Sequence, residues 1–218
     1  MCNEHRRRIA LGQISEEWSQ THIPLRFPEG LPNLAPLDSV RITDPTVIIR
    51  AGREAPGTDG HGARAELVQR RWSWPAPNGK PVFNFRSEGR TFDSGRCLIV
   101  ADGFYEYTDR ADADGRTPKK KAKKDRWLFT KKGEAWFCIA GLWRNSREVG
   151  EACTMLTVAP GADVAPYHDR QIVVLERADW ARWLDPRTPA AELLRPSPAA
   201  TFTVQLANLA QASDGGFL

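Results

Sequence analysis

Short apolar runs separated by turn-forming residues make up most of the chain. Residues 46–50 and 66–74 contain β-branched and aromatic side chains at strand-like spacing, and each is predicted to form a strand. Pro56-Gly57-Thr58-Asp59-Gly60 lies between them and is typical of a turn, so the two strands are expected to pair as a hairpin. Residues 97–101 form an unbroken apolar run of strand length that ends at Asp102-Gly103, another turn signal.

The second half of the chain continues this pattern. Residues 126–130 and 135–143 are apolar runs, and Lys131-Lys132-Gly133-Glu134 between them predicts a second hairpin. Three further strands are predicted at residues 154–158, 172–175 and 201–206.

Helical spacing is rarer. Trp180, Trp183 and Leu184 fall on one face of a predicted amphipathic helix over residues 178–184, and residues 15–20 are predicted to form a helical turn. About eight strands with two or three short helices, and with hairpins dominating, indicate an α+β fold. We expect a mixed, mostly antiparallel, barrel-like sheet with a few short flanking helices.

Composition limits the class of protein. With 218 residues, 41% of them hydrophobic and 27% charged, the chain is expected to form a single domain over residues 1–218 with a sizeable core. The longest apolar run is the nine residues 135–143, and no apolar segment follows the basic N-terminus, so neither a membrane span nor a secretory signal is expected. The cysteines are too widely spaced for a zinc site and too few for a disulfide scaffold, so we expect a reduced, cytoplasmic protein without metal or cofactor. They are Cys2, Cys97, Cys138 and Cys153.

The positive charge is local. The chain carries a net charge of +4, but residues 116–132 hold nine basic residues and one acid, so the remainder carries −4. Residues 109–125 are polar and rich in Lys, Asp, Gly and Pro, and they are predicted to form a mobile basic loop. The lysines at 119–124 are interpreted either as a solvated loop or as a flexible arm that contacts DNA phosphates.

Cys2 follows directly after the initiator Met1. Removal of Met1 would leave one residue with both an α-amine and a thiol. The amine can attack an aldehyde to form an imine, and the thiol can then close on the imine carbon to give a five-membered thiazolidine. The alternative is that Cys2 is a small residue in a frayed terminus.

Three internal segments also suggest chemistry. Glu106 follows an apolar strand among aromatic residues, so its carboxyl is expected to have a raised pKa suited to acid–base work, unless it simply faces water at a strand end. Asn84 and Arg86 are two residues apart on an expected extended segment and would share a face. His168, in His168-Asp169-Arg170 before a predicted strand, is a candidate proton shuttle or a plain surface-loop histidine.

Together these pieces resemble the SOS response-associated peptidase (SRAP) family, in family order and over nearly the whole chain. The D-G-aromatic-aromatic-E-aromatic and H-D-R segments, paired with Cys2, are the specific part. The matching segments are Met1-Cys2, Asn33-Leu34-Ala35-Pro36, Trp72-Ser73-Trp74-Pro75, Asn84-Phe85-Arg86-Ser87-Glu88, Ala101-Asp102-Gly103-Phe104-Tyr105-Glu106-Tyr107 and His168-Asp169-Arg170.

The resemblance implies a mixed, barrel-like α+β domain with a positively charged DNA groove. It also implies a terminal cysteine, exposed by loss of the initiator Met, that crosslinks to abasic sites in single-stranded DNA through a thiazolidine. Cys2 would be the nucleophile, Asn84 would position the linkage, and Glu106 and His168 would be the acid–base pair.

DNA contacts are expected from basic, amide and aromatic side chains. Arg86 and Arg170 would neutralise phosphates, and Trp72 or Trp74 would either stack on a base or belong to the core. The remaining expected DNA-binding residues are Asn33, Lys119 and Lys120.

The chain also departs from the family pattern, because Asn3-Glu4 stands where relatives have Gly-Arg. Glu4 is expected to bring negative charge close to DNA phosphate. Two other functions therefore stay open: a thiol peptidase or self-processing enzyme that uses Cys2 and His168, and a non-enzymatic single-stranded DNA binder. In each case we expect a monomeric bacterial or phage protein that joins the nucleoid when bound to DNA.

Overall fold

A computed structural model describes residues 2–52, 64–109 and 124–207. Over these ranges the chain forms sixteen strands, two α-helices and two short 3₁₀ turns. The helices are α1 (Leu11–Trp18) and α2 (Arg177–Leu184), and the 3₁₀ turns are Ser19–Thr21 and Ala190–Glu192. The strands are β1 (Glu4–Arg7), β2 (Leu25–Arg26), β3 (Leu37–Arg41), β4 (Pro45–Ala51), β5 (Ala65–Trp72), β6 (Trp74–Pro75), β7 (Pro81–Val82), β8 (Asn84–Arg86), β9 (Arg96–Ala101), β10 (Gly103–Asp109), β11 (Lys124–Lys131), β12 (Phe137–Ser146), β13 (Gly150–Val158), β14 (Gln171–Ile172), β15 (Val174–Leu175) and β16 (Phe202–Leu206).

Five strands close into a barrel. Their order is β13-β12-β9-β4-β5, and β5 returns to pair with β13, so the sheet has no free edge along this path. The closing pair is parallel, with Cys153 opposite Trp72, whereas the other four pairs are antiparallel. β9 is buried at all six positions, which explains why its sequence is uninterrupted by polar residues after Arg96.

A second sheet has the order β16-β11-β10-β1-β3, with the N-terminal strand β1 between β10 and β3. The chain passes from the barrel into this sheet at Asp102, whose carboxylate accepts hydrogen bonds from Arg6 Nε (3.0 Å) and the Arg8 amide (3.2 Å). The next residue is Gly103, where a Cβ would lie 2.8 Å from Leu128 Cδ1 and 3.2 Å from the Phe129 carbonyl oxygen, so a larger residue would require these neighbours to shift. The predicted turn at Asp102-Gly103 is thus a bend between two sheets.

The barrel strands are buried on both faces, in two apolar clusters. One cluster contains the helices: Trp18 and Trp180 stack with ring centroids 6.0 Å apart, and Trp183 donates its indole N–H to the Cys97 carbonyl over 2.9 Å. The predicted helix over residues 178–184 is confirmed by α2. The other cluster joins the opposite barrel face to the second sheet and includes Cys2. No helix in the described ranges is long and apolar enough to cross a membrane.

The fold class is confirmed as a mixed, mostly antiparallel, barrel-like α+β fold. The first predicted hairpin pairing is confirmed by β4 and β5, whose connecting residues 53–63 lie outside the described ranges. The predicted strand over residues 66–74 is interrupted at Ser73, which has a φ of 95° and separates β5 from β6.

The second predicted hairpin is wrong. β11 pairs with β10 and β16 in the second sheet, whereas β12 pairs with β9, β13 and β15 in the barrel sheet. The connection changes sheet rather than folding back, and the buried Lys131 in it is held by Glu134 (2.5 Å) and Glu176 (2.8 Å).

The predicted basic loop is shorter at its ends than expected. Asp109 and Lys124 are paired residues of β10 and β11, and their side chains form a 3.5 Å ion pair. Residues 110–123, with Lys119 and Lys120, lie outside the described ranges.

Candidate active site

The candidate nucleophile is fixed on two sides. The Cys2 thiol is 1% exposed and donates a hydrogen bond to the backbone carbonyl of Glu4 over 3.3 Å. The Cys2 carbonyl accepts a 2.6 Å hydrogen bond from Asn84 Nδ2. The reading of Cys2 as part of a frayed terminus is therefore wrong.

Asn84 is the first residue of β8, which runs parallel to β13 and places Asn84 opposite Met155. Its Oδ1 is buried and has no hydrogen-bond partner among the described residues. A buried acceptor without a partner is costly in a folded protein, so this oxygen is suited to accept a substrate hydroxyl or amine hydrogen. Arg86, two residues further along the same strand, is exposed, which agrees with the expected extended segment.

Glu106 lies on β10 and is 2% exposed. Burial raises the pKa of its carboxyl from the ordinary 4.5 to about 7; the amino-terminal charge of the chain acts against this and Asp169 acts with it. A group half-ionised near neutral pH can both accept and return a proton. The expectation of a raised pKa is confirmed in direction, and the water-facing alternative is wrong.

Cys2 and Glu106 influence each other. Burial raises the pKa of the Cys2 thiol far above its ordinary value, and the charge of Glu106 raises it further. The thiol is thus protonated at neutral pH and is not a resting thiolate.

His168 ends a turn in which its amide donates to the Val164 carbonyl over 3.0 Å. Its Nδ1 lies 3.0 Å from the Arg170 amide nitrogen, which can donate to it when Nδ1 is unprotonated, whereas the Asp169 carboxylate accepts from Nδ1 when Nδ1 is protonated. Burial lowers the pKa of His168, and the carboxylate of Asp169, 2.7 Å from Nδ1, opposes that effect. Since Asp169 also raises the pKa of Glu106, the His168 segment lies within electrostatic reach of the carboxyl.

Arg170 differs from its expected role. Its guanidinium makes a bidentate ion pair with Glu88 and also donates to the Thr157 carbonyl (2.8 Å) and hydroxyl (3.1 Å). With the residue 9% exposed, this arginine fastens the end of β8 to β13 and does not present a free guanidinium to phosphate.

The two readings left open for the tryptophans are decided by burial. Trp72 is fully buried and donates its indole N–H to the Phe83 carbonyl over 2.9 Å. Trp74 is 5% exposed and lies beneath the Arg144 guanidinium, 4.4 Å from the ring centroid. Both belong to the core, so the prediction that they stack on a base is wrong for this arrangement.

Asn33 is exposed in a loop, where it stays a predicted DNA contact. Two contacts hold this loop in place: Arg7 donates to the carbonyl of Ala35 over 2.7 Å, and the side chain of Leu34 is buried.

Sequence reasoning missed a buried ion pair beside the candidate nucleophile. Glu4, expected to face DNA phosphate, is 1% exposed and is paired with Arg126 at 2.7 Å. Arg126 begins a predicted strand, and the sequence assigns it no partner. The only available signal was an acid in the strand that follows Cys2 and a base in an otherwise apolar strand.

The site therefore combines a buried thiol, an amide with an unused acceptor, a carboxyl that titrates near neutrality and an imidazole in contact with the Asp169 carboxylate. These groups are suited to condensing a terminal amine and thiol with a carbonyl compound, because proton donors and acceptors are present at both steps.

Curated relatives share about half of their length with this chain. The protein named abasic site processing protein YoaM, from Bacillus subtilis, is 31% identical over 120 residues, which cover 53% of this chain and 47% of the relative. Abasic site processing protein YobE from the same organism is 29% identical over 135 residues, or 61% of this chain and 52% of the relative. The chain thus spans about half the length of these relatives.

Solved structures show the same fold. A Bordetella bronchiseptica protein matches with a TM-score of 0.63 at 22% identity, covering 95% of this chain and all of that one. A phage-related protein from the same organism matches with a TM-score of 0.67 at 19% identity over 95% and 94% of the two chains. The family model described as SOS response associated peptidase matches residues 1–208. The chain therefore belongs to the SOS response associated peptidase (SRAP) family.

Proposed function

We propose that this protein processes abasic sites by attaching itself covalently to them in single-stranded DNA. The observation that carries the proposal is the fixed position of Cys2, held by Asn84 next to a carboxyl that titrates near pH 7. The names of the relatives, abasic site processing proteins, support the same substrate. The protein would act in the cytoplasm, at the nucleoid when bound to DNA.

The reaction requires that Met1 be removed, so that Cys2 carries the free amine. An abasic deoxyribose is mostly a closed hemiacetal, which does not react with amines. In its protonated form His168 gives a proton to the ring oxygen as the bond between that oxygen and C1′ breaks. The C1′ hydroxyl releases its proton to solvent, which leaves the open aldehyde and a neutral imidazole that solvent protonates again. The unused Oδ1 of Asn84 accepts the hydrogen of the freed hydroxyl and holds the sugar in place.

The first bond formed joins nitrogen to carbon. Glu106 in its ionised form takes a proton from the Cys2 ammonium, and the free amine attacks C1′ of the aldehyde to give a carbinolamine. Glu106 then returns the proton to the hydroxyl, which leaves as water, and an iminium remains. A pKa of about 7 allows the same carboxyl to serve in both directions.

The second bond joins sulfur to the same carbon. The Cys2 sulfur adds to the iminium carbon, its proton passes to Glu106, and a neutral five-membered thiazolidine results. The net change is one C–N bond and one C–S bond formed, one C=O bond broken and one water released. A protonated thiol suffices here because it closes a ring within one residue, where the effective molarity is high.

The raised pKa of the Cys2 thiol argues against a thiol peptidase acting on other proteins, because such an enzyme needs an activated thiolate. Exposed Arg86 and Asn33 and the lysines at 119–124 are the proposed contacts to the DNA strand. Replacing the five lysines with serine is expected to flatten the salt dependence of DNA binding.

The test uses protein whose processed N-terminus has been verified by intact mass, incubated with a single-stranded oligonucleotide that carries one abasic site. We expect an adduct that survives heat and denaturant, with a mass one water below the sum of the two. An oligonucleotide with a tetrahydrofuran analogue, which cannot open to an aldehyde, is the matched control and should give none.

Cys2→Ala separates the two bonds. This variant keeps the α-amine, so we expect no stable adduct but a conjugate that is trapped by borohydride as a reduced imine. A stable adduct from Cys2→Ala would refute the thiazolidine. Peptide cleavage without DNA would instead favour the peptidase, and a gel shift without any adduct would favour a plain DNA binder.

A further inference from the structure

The carboxylate of Glu4 is surrounded by donors from three other strands. Ser39 Oγ on β3 donates to it over 2.5 Å, the Tyr107 hydroxyl on β10 donates to it as well, and Arg126 on β11 makes a bidentate contact through Nη2 (2.7 Å) and Nε (3.1 Å). The Arg126 guanidinium in turn lies 3.5 Å from the centroid of the Tyr105 ring. A single side chain of β1 is thereby tied to every neighbouring strand and to one strand beyond.

This carboxylate is ionised in spite of its burial. Burial by itself would raise the pKa of Glu4, but hydrogen bonds from Arg126, Ser39 and Tyr107 lower it below the ordinary value. The charge is therefore matched by the guanidinium, and removal of either partner would leave the other one buried and unpaired.

The same residue contacts the candidate nucleophile through its backbone. The Glu4 carbonyl accepts the hydrogen bond from the Cys2 thiol at 3.3 Å, so any movement of Glu4 moves the acceptor that orients the sulfur. Glu4 lies only two residues from Cys2, which leaves little chain to absorb such a movement.

The ion pair and the candidate base use opposite faces of the same two strands. Tyr107 follows Glu106 on β10, and Arg126 precedes Trp127, the residue paired with Glu106, on β11. Because successive side chains of a strand point to opposite faces, one face presents Glu106 and the other anchors β1. The backbone of β10 and β11 therefore positions both the Glu106 carboxyl and, through Glu4, the Cys2 thiol.

We propose that Glu4 and Arg126 form a positioning pair that sets the Cys2 amine and thiol against Glu106. The inference rests on the proposed function. It also accounts for the departure from the Gly-Arg that follows the cysteine in the resembling family: Glu4 does not face DNA but replaces that element with a buried charge matched by Arg126.

The experiment compares Glu4→Gln, Glu4→Arg and the charge-exchanged double variant Glu4→Arg with Arg126→Glu. For each we measure the first-order rate of adduct formation at saturating abasic DNA, the final yield, and the Kd for intact single-stranded DNA of the same sequence. Glu151→Gln is the matched control, because Glu151 also bridges two arginines, the buried Arg50 (3.0 Å) and the partly buried Arg70 (2.6 Å), in another part of the fold.

Both single variants are expected to slow the reaction by about 10- to 100-fold, since misplacement by about 1 Å costs a factor of this size, while the Kd stays unchanged. The charge-exchanged variant should recover most of the rate, and Glu151→Gln should retain all of it. A merely structural pair would instead lower the yield of active protein and leave the rate of the active fraction intact.

Normal rates in Glu4→Gln and Glu4→Arg, beside a reactive wild type, would overturn the positioning pair and leave the proposed function standing. An equal slowing in Glu151→Gln would overturn it too. Absence of any adduct from the wild type would instead refute the proposed function itself.

Discussion

The side-chain amide of Asn84 donates a 2.6 Å hydrogen bond to the backbone carbonyl of Cys2, although 82 positions separate the two residues. β8 carries Asn84 because it lies against β13 of the closed barrel, whereas Cys2 precedes β1 of the second sheet. The bond therefore ties the reactive terminus, which leads into the second sheet, to a strand of the barrel sheet.

Asn84→Ala removes this bond and the unused acceptor beside it. We expect adduct formation at saturating DNA to slow by about 10- to 100-fold, because the terminus gains freedom and the sugar loses a contact. Single-turnover kinetics with abasic oligonucleotide measure the rate. Phe85→Leu is a suitable comparison in the same strand, because its side chain packs against the other cluster; a similar slowing there would mean that β8 as a whole is responsible.

The pH dependence of the reaction reports on Glu106. Since the carboxyl must be ionised to accept a proton from the Cys2 ammonium, the rate is expected to rise as pH increases through about 7, the pKa of Glu106. Glu106→Gln should react more slowly and lose this inflection, with little change in affinity for intact single-stranded DNA. An inflection that persists in Glu106→Gln would belong to the α-amine, whose ordinary pKa is about 7.7–8.0.

The reaction rate is expected to rise with pH, but the contribution of Glu106 to the free energy of unfolding should fall with pH. The folded-state pKa lies above the ordinary 4.5, so the folded protein binds the proton more tightly than the unfolded chain does. This contribution is fully present below pH 4.5 and is lost as pH rises through about 7. Relative to Glu106→Gln, the wild type should lose about 3 kcal/mol of unfolding free energy over that interval. Urea denaturation of both proteins across the range tests this, and parallel curves would contradict it.

Arg170 and Arg86 are expected to respond differently to substitution. Arg170→Ala removes the ion pair with Glu88 and leaves the Thr157 carbonyl with fewer partners, so the unfolding free energy should fall by about 2–3 kcal/mol. Arg86→Ala should change stability by less than about 0.5 kcal/mol but reduce the salt slope of DNA binding by about 1. The reverse pattern would restore Arg170 as a phosphate contact.

Much of the fold was predictable because several strands are buried along most of their length, so their sequences are mainly apolar. β4 and β9 are buried at most positions and are recognised directly as apolar runs, and α2 shows its two tryptophans at helical spacing. The two- and three-residue strands were not predictable, because a segment such as Asn84–Arg86 has too few residues to show a period.

The sequence also did not indicate which strands belong to the same sheet. The turn-forming residues between β11 and β12 favour a hairpin locally, but both strands find other partners. Tertiary contacts thus override a local turn signal.

The candidate site shows a similar division. Cys2, Glu106 and His168 were found through their motifs, and Glu106 was expected to be buried because aromatic residues flank it. Exposure of single large side chains was not predictable, so Arg170 was expected to contact DNA and the position of Trp72 stayed open, although both residues are buried. Glu4 was misjudged because its partner Arg126 lies 122 positions away.

The central place of β1, between β10 and β3, has a consequence for the order of events during synthesis. During synthesis β1 cannot be enclosed until residues 103–109 have followed it, about a hundred residues later. The proposed function requires that Met1 be removed, and in the folded chain Cys2 is 1% exposed. We therefore expect this removal to take place on the nascent polypeptide, before the second sheet closes around β1.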